Sequence, residues 1–163
     1  MANIKNLRPN KRGTFKQGYY ILSNTSKYVG DPKNIIYRSS WEYKFMVYCD
    51  LSSHVLEWSS EPIGIRYVSP LDRKNHNYYV DFYAKLKIGD IEKRYIIEVK
   101  PSSQYKVKPV LEGRKTQKKI QRYKIAMETW IINNAKFKSA KTFAKENGME
   151  FIILDESNLN TLT

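Results

Sequence analysis

The chain has 163 residues, 41% of them hydrophobic and 13% aromatic, and carries a net charge of +13. That length supports one domain with a core and is short for two, and the composition excludes a disordered tail. One cysteine, Cys49, and two histidines, His54 and His76, exclude a disulfide and a Cys/His metal cage; with no leader-like or membrane-spanning apolar run, they suit a reducing cytoplasm and no secretion.

Residues 1–30 hold six Lys/Arg and no acid. Residues 1–17 show little periodicity, so the chain should open with a basic arm that ends by residue 25 and carries Lys11 and Arg12 toward a polyanion. After a loop through Gly30-Asp31-Pro32, RSSWEYKFMVYCD predicts a helix with Trp41, Phe45, Tyr48 and Cys49 on one face. HVLEWSSEPIGIRYV predicts two short strands, SPLDRKNHN a turn-rich loop, and NYYVDFYAKLKIGDIEKRYIIEVK a β-hairpin. A loop follows Pro101. EGRKTQKKIQRYKIAMETWIINN then predicts a long helix with two faces. Ile120, Tyr123, Met127, Trp130 and Ile131 form its apolar stripe; Lys115, Lys118, Lys119 and Arg122 form a basic side. KSAKTFAKENG predicts a separate, shorter helix capped by Gly148, and MEFIILDE a closing buried strand. The expected architecture is α/β, with residues 26–163 forming one domain around a mixed β-sheet flanked by helices.

Residues 100–124 hold nine Lys/Arg against a single acid, Glu112, so this segment and the first 30 residues leave a net −1 on the rest of the chain. Clustered cations of this kind mark a nucleic-acid partner, because they displace counterions from its phosphates. The alternative is a solvated charged face on an otherwise ordinary basic protein.

The hairpin carries the candidate chemistry. Gly89-Asp90 makes a two-residue turn in which glycine supplies the positive φ of a type II′ corner. Paired residue numbers then add to 179, setting Asp81 opposite Glu98 and Tyr79 opposite Lys100, with Val80, Phe82, Ala84, Leu86 and Ile88 on the other face. Carboxylates paired across a hairpin repel, with Cβ atoms about 4.5–5.5 Å apart. A divalent cation resolves that repulsion, and hard oxygens suit Mg²⁺, with Mn²⁺ as a substitute. Lys100 beside them would orient a water or stabilise developing charge. Together with the basic segments, the chemistry called for is metal-assisted phosphodiester hydrolysis. The bland alternative is an edge strand on which Glu98 and Lys100 form a surface pair and Asp81 bridges to Lys100. Glu42 has two readings as well. Ser39-x-x-Glu42 fits a capping box, so Glu42 is either a helix cap or a third carboxylate delivered to the metal. Tyr79 and Tyr83, flanking Asp81, either line the site or simply pack.

A Glu in an early helix, then Asp, then Glu-x-Lys on consecutive strands resembles the restriction-endonuclease-like nuclease superfamily, with Val80-Asp81 where its members usually carry Pro-Asp. SKYVGDPKNIIYRSSWEYKFMVYCDLSSHVLEWSSEPIGIRYVSP, HNYYVDFYAKLK and YIIEVKP resemble the head completion nucleases of large contractile-tailed bacteriophages. That similarity runs from about Ser26 through Pro101 and more loosely through the final strand. The resemblance implies Asp81, Glu98 and Lys100 as the catalytic core, the two carboxylates as metal ligands, and Glu42 as the helix-borne third. It also implies double-stranded DNA as substrate and phage head and portal proteins as partners. The step implied is a late one in virion assembly in the host cytoplasm, at the end of packaged DNA before the tail joins. Two other functions stay open on sequence. One is a DNA-binding plug or adaptor at the portal that keeps the fold without cutting; the other is a transposon- or junction-type endonuclease that shares the site.

Overall fold

The computed structural model describes residues 17–159, so Lys11 and Arg12 of the expected arm lie outside the described residues. Strand β1 (Gly18–Tyr19) pairs antiparallel with β2 (Ile36–Tyr37), and Tyr20 is 7% exposed within the core. The last part of the expected arm is therefore built into the body. Asp50, in helix α1 (Ser40–Leu51), holds it there. Its carboxylate accepts from the Tyr20 hydroxyl at 3.0 Å and from the Ser23 and Asn24 backbone N–H groups at 2.7 and 2.9 Å. Helix α1 falls where the periodicity places it, burying Phe45, Met46 and Cys49.

Six further strands follow: β3 (Val55–Ser60), β4 (Gly64–Val68), β5 (Asn75–Tyr79), β6 (Phe82–Ile88), β7 (Ile91–Val99) and β8 (Glu150–Leu154). The main sheet has the order β3-β6-β7-β8, antiparallel except for the parallel β7–β8 pair, and β4–β5 forms a separate antiparallel ribbon. The parallel pair needs a crossover, which helix α2 (Gln117–Glu146) supplies; α3 (Glu156–Leu159) closes the described chain. As a sheet edge, β8 is mostly half-buried and not the fully buried strand expected.

The β6–β7 hairpin keeps the register set by its turn, from Ile88↔Ile91 to Phe82↔Ile97, with Gly89 at a φ of 62°. Its first strand is nevertheless broken at Val80-Asp81. The Val80 N–H donates to the Ile63 carbonyl at 3.3 Å, and the Asp81 carbonyl accepts from the Glu61 N–H at 2.8 Å. Those bonds draw the chain off the β7 ladder and toward the β3–β4 connection. Tyr79 consequently faces Gly64 and not Lys100. The break also resets the alternation of side chains. Phe82 and Ala84 pack with Phe45, Trp58 and Ile97 in one cluster, while Val80 packs with Ile65, Tyr67, Tyr78, Ile96 and Ala140 in another. Consecutive Ile96 and Ile97 belong to different clusters, so the two cores occupy opposite faces of the sheet.

The two helices expected after Pro101 are one helix of 30 residues. Asn133 and Asn134, at the expected break, instead send their side chains to the carbonyls of Gln104 and Trp130 at 3.2 and 2.8 Å, and no Gly or Pro interrupts the run. Gly148 follows the helix with a φ of 63°, the left-handed cap its sequence position predicts. Burial in α2 begins only at Asn133; Ile120, Tyr123, Met127, Trp130 and Ile131 of the expected stripe are half-buried and belong to neither core. Among the described residues no helix is long and apolar enough to cross a membrane.

Candidate active site

The β6–β7 ladder ends at Phe82↔Ile97, one pair short of Asp81 and Glu98, and the next contacts run through side chains. The Val99 N–H donates to Asp81 Oδ2 at 2.8 Å, which ties the aspartate to the end of β7. Glu98 is 3% exposed. Its Oε1 lies 2.9 Å from Lys100 Nζ, and its Oε2 accepts from the Tyr78 hydroxyl at 2.6 Å. Because β7 lies between β6 and β8 and Glu98 is buried, the edge-strand surface pair does not describe this arrangement. The ion pair of Lys100 is with Glu98, not with Asp81.

Burial pushes the Asp81 carboxyl well above its ordinary value, and the Glu98 charge adds to the push; Lys100 and the Val99 N–H work against it. Burial lowers the Lys100 ammonium, but Glu98 and then Asp81 outweigh it, so its net shift is upward and it stays charged at neutral pH. Burial, then Glu98, raises the Tyr78 hydroxyl, which therefore remains a donor.

Glu42 is a helix cap. Its Oε1 accepts from the Ser39 hydroxyl and its Oε2 from the Arg38 backbone N–H, both at 2.8 Å, while Ser39 Oγ accepts from the Glu42 N–H at 3.1 Å. Its charge is nonetheless felt at Asp81 and at Lys100. Among the described residues no three His, Cys, Asp or Glu side chains form a metal-holding group, and both Glu42 oxygens are taken up in the cap. Arg38 links this cap to the bend by pairing with Glu61, whose backbone sits at a φ of 49° and holds the Asp81 carbonyl. A strained non-glycine residue beside two crowded carboxylates is a common accompaniment of a working site.

The donor chemistry suits a hard divalent cation. Asp81 and Glu98 supply carboxylate oxygens, and Asp81 Oδ1 accepts no hydrogen bond among the described residues. Burial first, and then the Glu98 charge, disfavour an ionised Asp81, and a cation offsets both.

Two side chains here escape a reading of the sequence. On an unbroken strand Tyr78 would point away from Asp81; the bend at Val80-Asp81 turns it onto Glu98. Lys136 lies where a link between two helices is expected, so no helical face is assigned to it. Its ammonium sits 5.5 Å from the Tyr78 ring centroid and 5.8 Å from that of Tyr67. Tyr79, by contrast, is 57% exposed. Lys115, Lys118, Lys119 and Arg122 are exposed in the first turns of α2 and the loop before it.

The mixed sheet flanked by helices is that of the restriction-endonuclease-like class of endonucleases. Residues 52–156 match the family described as TnsA-like endonuclease N terminal, and the chain belongs to that family. It is also 34% identical over 145 residues to the head completion nuclease of Enterobacteria phage T4, an alignment that covers 89% of this chain and 94% of that one.

Proposed function

We propose that this chain is a Mg²⁺-dependent endonuclease that hydrolyses phosphodiester bonds of double-stranded DNA. Its place would be late in phage head assembly within the host cell, on packaged DNA before the tail joins, with head and portal proteins as partners. The observation that carries the chemistry is the placement of Asp81, bonded to the Val99 N–H, next to the buried Glu98, which Lys100 pairs with. Asp81 and Glu98 would hold the metal, which when bound supplies Lewis acidity at a phosphoryl oxygen.

The protein's own side chains do the rest. Glu98 fixes Lys100, whose protonated ammonium donates to the attacking water or to charge developing on the phosphate. Tyr78 and the Val99 N–H lock the two carboxylates in place, so little reorganisation is needed when substrate arrives. Glu42 contributes as the cap of α1 and as a nearby negative charge. Lys115, Lys118, Lys119 and Arg122 contact phosphates, and their exposure and clustering suit that role.

Incubation with linear, nicked and branched DNA in Mg²⁺, Mn²⁺ or EDTA tests the proposal. Cleavage in either metal and none in EDTA is expected. Binding without cleavage in every metal would leave the non-cutting plug in its place.

A further inference from the structure

We propose that Lys136 binds a phosphate oxygen of the DNA strand being cut, as a second cation of the site beside Lys100. The proposal rests on the nuclease reading above. Ile132, Ala140 and Ala144 of α2 pack into the second core, so position 136, four residues from Ile132 and four from Ala140, is on the inward stripe of the helix. An apolar residue would ordinarily occupy it. Lysine there is half-buried and lies over the rings of Tyr67 and Tyr78, the inward tyrosines of the β4–β5 ribbon. Tyr78 is the same residue that donates to Glu98.

Lys136 makes no hydrogen bond or ion pair with any described residue. Both Glu98 oxygens have other partners, Lys100 and Tyr78, so that carboxylate is already engaged. Burial lowers the Lys136 ammonium below its ordinary value, Glu98 and Asp81 pull it back up, and Lys100 pushes it down. It therefore stands in the field of all three site residues without being paired to any of them. Burying an ammonium without an anion is costly, and lysine stems normally carry their charge out to water. Two aromatic faces offset part of that cost. What they leave is a fixed cation lacking a counter-ion, at the place where the proposed reaction brings a phosphodiester. A compact ammonium suits one non-bridging oxygen of such a group.

The test compares wild type with Lys136→Met and Lys136→Gln, which remove the charge, and Lys136→Arg, which keeps it. Binding of a short duplex is measured in EDTA across a salt series, and single-turnover cleavage is measured in Mg²⁺. Loss of one phosphate contact should reduce the log–log salt slope by about 0.9 in the uncharged variants. Cleavage should fall at least about tenfold in them, and Lys136→Arg should restore much of both. A wild-type slope in a folded uncharged variant overturns the proposal and makes Lys136 a strut between two tyrosines. A reduced slope with wild-type cleavage also overturns it, since the phosphate contacted would then lie away from the cut. Wild type that binds but never cuts defeats the nuclease reading, and the salt slope alone then decides whether Lys136 contacts a phosphate.

Discussion

Asp155 and Asp81 stand at the same end of the main sheet and have opposite surroundings. Asp155 follows β8 and is 1% exposed, yet its carboxylate accepts from the Lys106 ammonium at 2.6 Å, the Tyr105 hydroxyl at 2.7 Å and the Ser157 N–H at 2.9 Å. Lys106 first, then Ser157 and Tyr105, hold its carboxyl well below the ordinary carboxylate range. Asp81 precedes β6 with one N–H donor and a second carboxylate beside it, and its carboxyl moves the other way. Burial alone does not decide what a carboxylate is for; the donors placed around it do. Asp155 is a knot tying the loop after Pro101 to the end of β8, whereas Asp81 is left short of donors.

The sharpest separation of the two should come from one substitution at each cluster. Lys100→Ala is expected to lower cleavage by about 10²–10³-fold while duplex binding in EDTA persists. Cleavage at the wild-type rate would remove Lys100 from the chemistry. Asp155→Ala should do the reverse, costing about 2–3 kcal/mol of stability while leaving cleavage per folded molecule unchanged. An unaltered thermal melt would mean that the knot does not bear on stability.

A smaller effect distinguishes the aspartates by metal. With Mg²⁺ at ten times its dissociation constant, wild type should gain about 1.4 kcal/mol over EDTA, a melting shift of about 3–6 °C for a domain of this size. Asp81→Asn should show no such gain and no cleavage. A full Mg²⁺ shift in Asp81→Asn would make Asp81 a purely structural residue.

The pH dependences should have opposite signs. The folded pKa of Asp81 lies above its unfolded value, so the folded state takes up the proton first. In EDTA near neutral pH, Asp81→Asn should then be more stable than wild type. That gap should close as pH falls through the folded pKa toward the ordinary carboxylate value, about 3.9. The folded pKa of Asp155 is depressed, so its stabilisation is present above the ordinary carboxylate value and fades as pH falls below it. Denaturant melts of Asp81→Asn, Asp155→Asn and wild type from neutral to acid pH check both signs. The same sign for both aspartates would erase the contrast.

The smallest expected change is at Glu42. Glutamine preserves a capping box, so Glu42→Gln should melt within about 0.5 kcal/mol of wild type while cutting more slowly through loss of its charge. An unchanged cleavage rate would confine Glu42 to the cap.

Local rules made much of this legible in the sequence. A two-residue turn at Gly89-Asp90 dictates a register, and the register brings Asp81 and Glu98 to the same end of the hairpin. Ser39 and Glu42 announce a helix start, and Gly148 a helix end. What stayed hidden depends on partners distant in the chain. The Ile63 carbonyl and the Glu61 N–H break the first hairpin strand, and nothing in NYYVDF signals them. Once that break is missed, Tyr78 falls on the wrong face. The knot around Asp155 draws on Tyr105 and Lys106, about fifty residues earlier, from a stretch with no periodicity to read.

Helix α2 has a consequence of scale. At about 1.5 Å of rise per residue, its 30 residues span about 45 Å. The segment before its first buried residue, 117–132, accounts for about 24 Å of that length. A duplex lying along this segment would run beside it for about seven base pairs, at about 3.4 Å each. A substrate too short to reach the far end would forfeit part of its hold, so the helix would act as a ruler for how much duplex must adjoin the point of cutting.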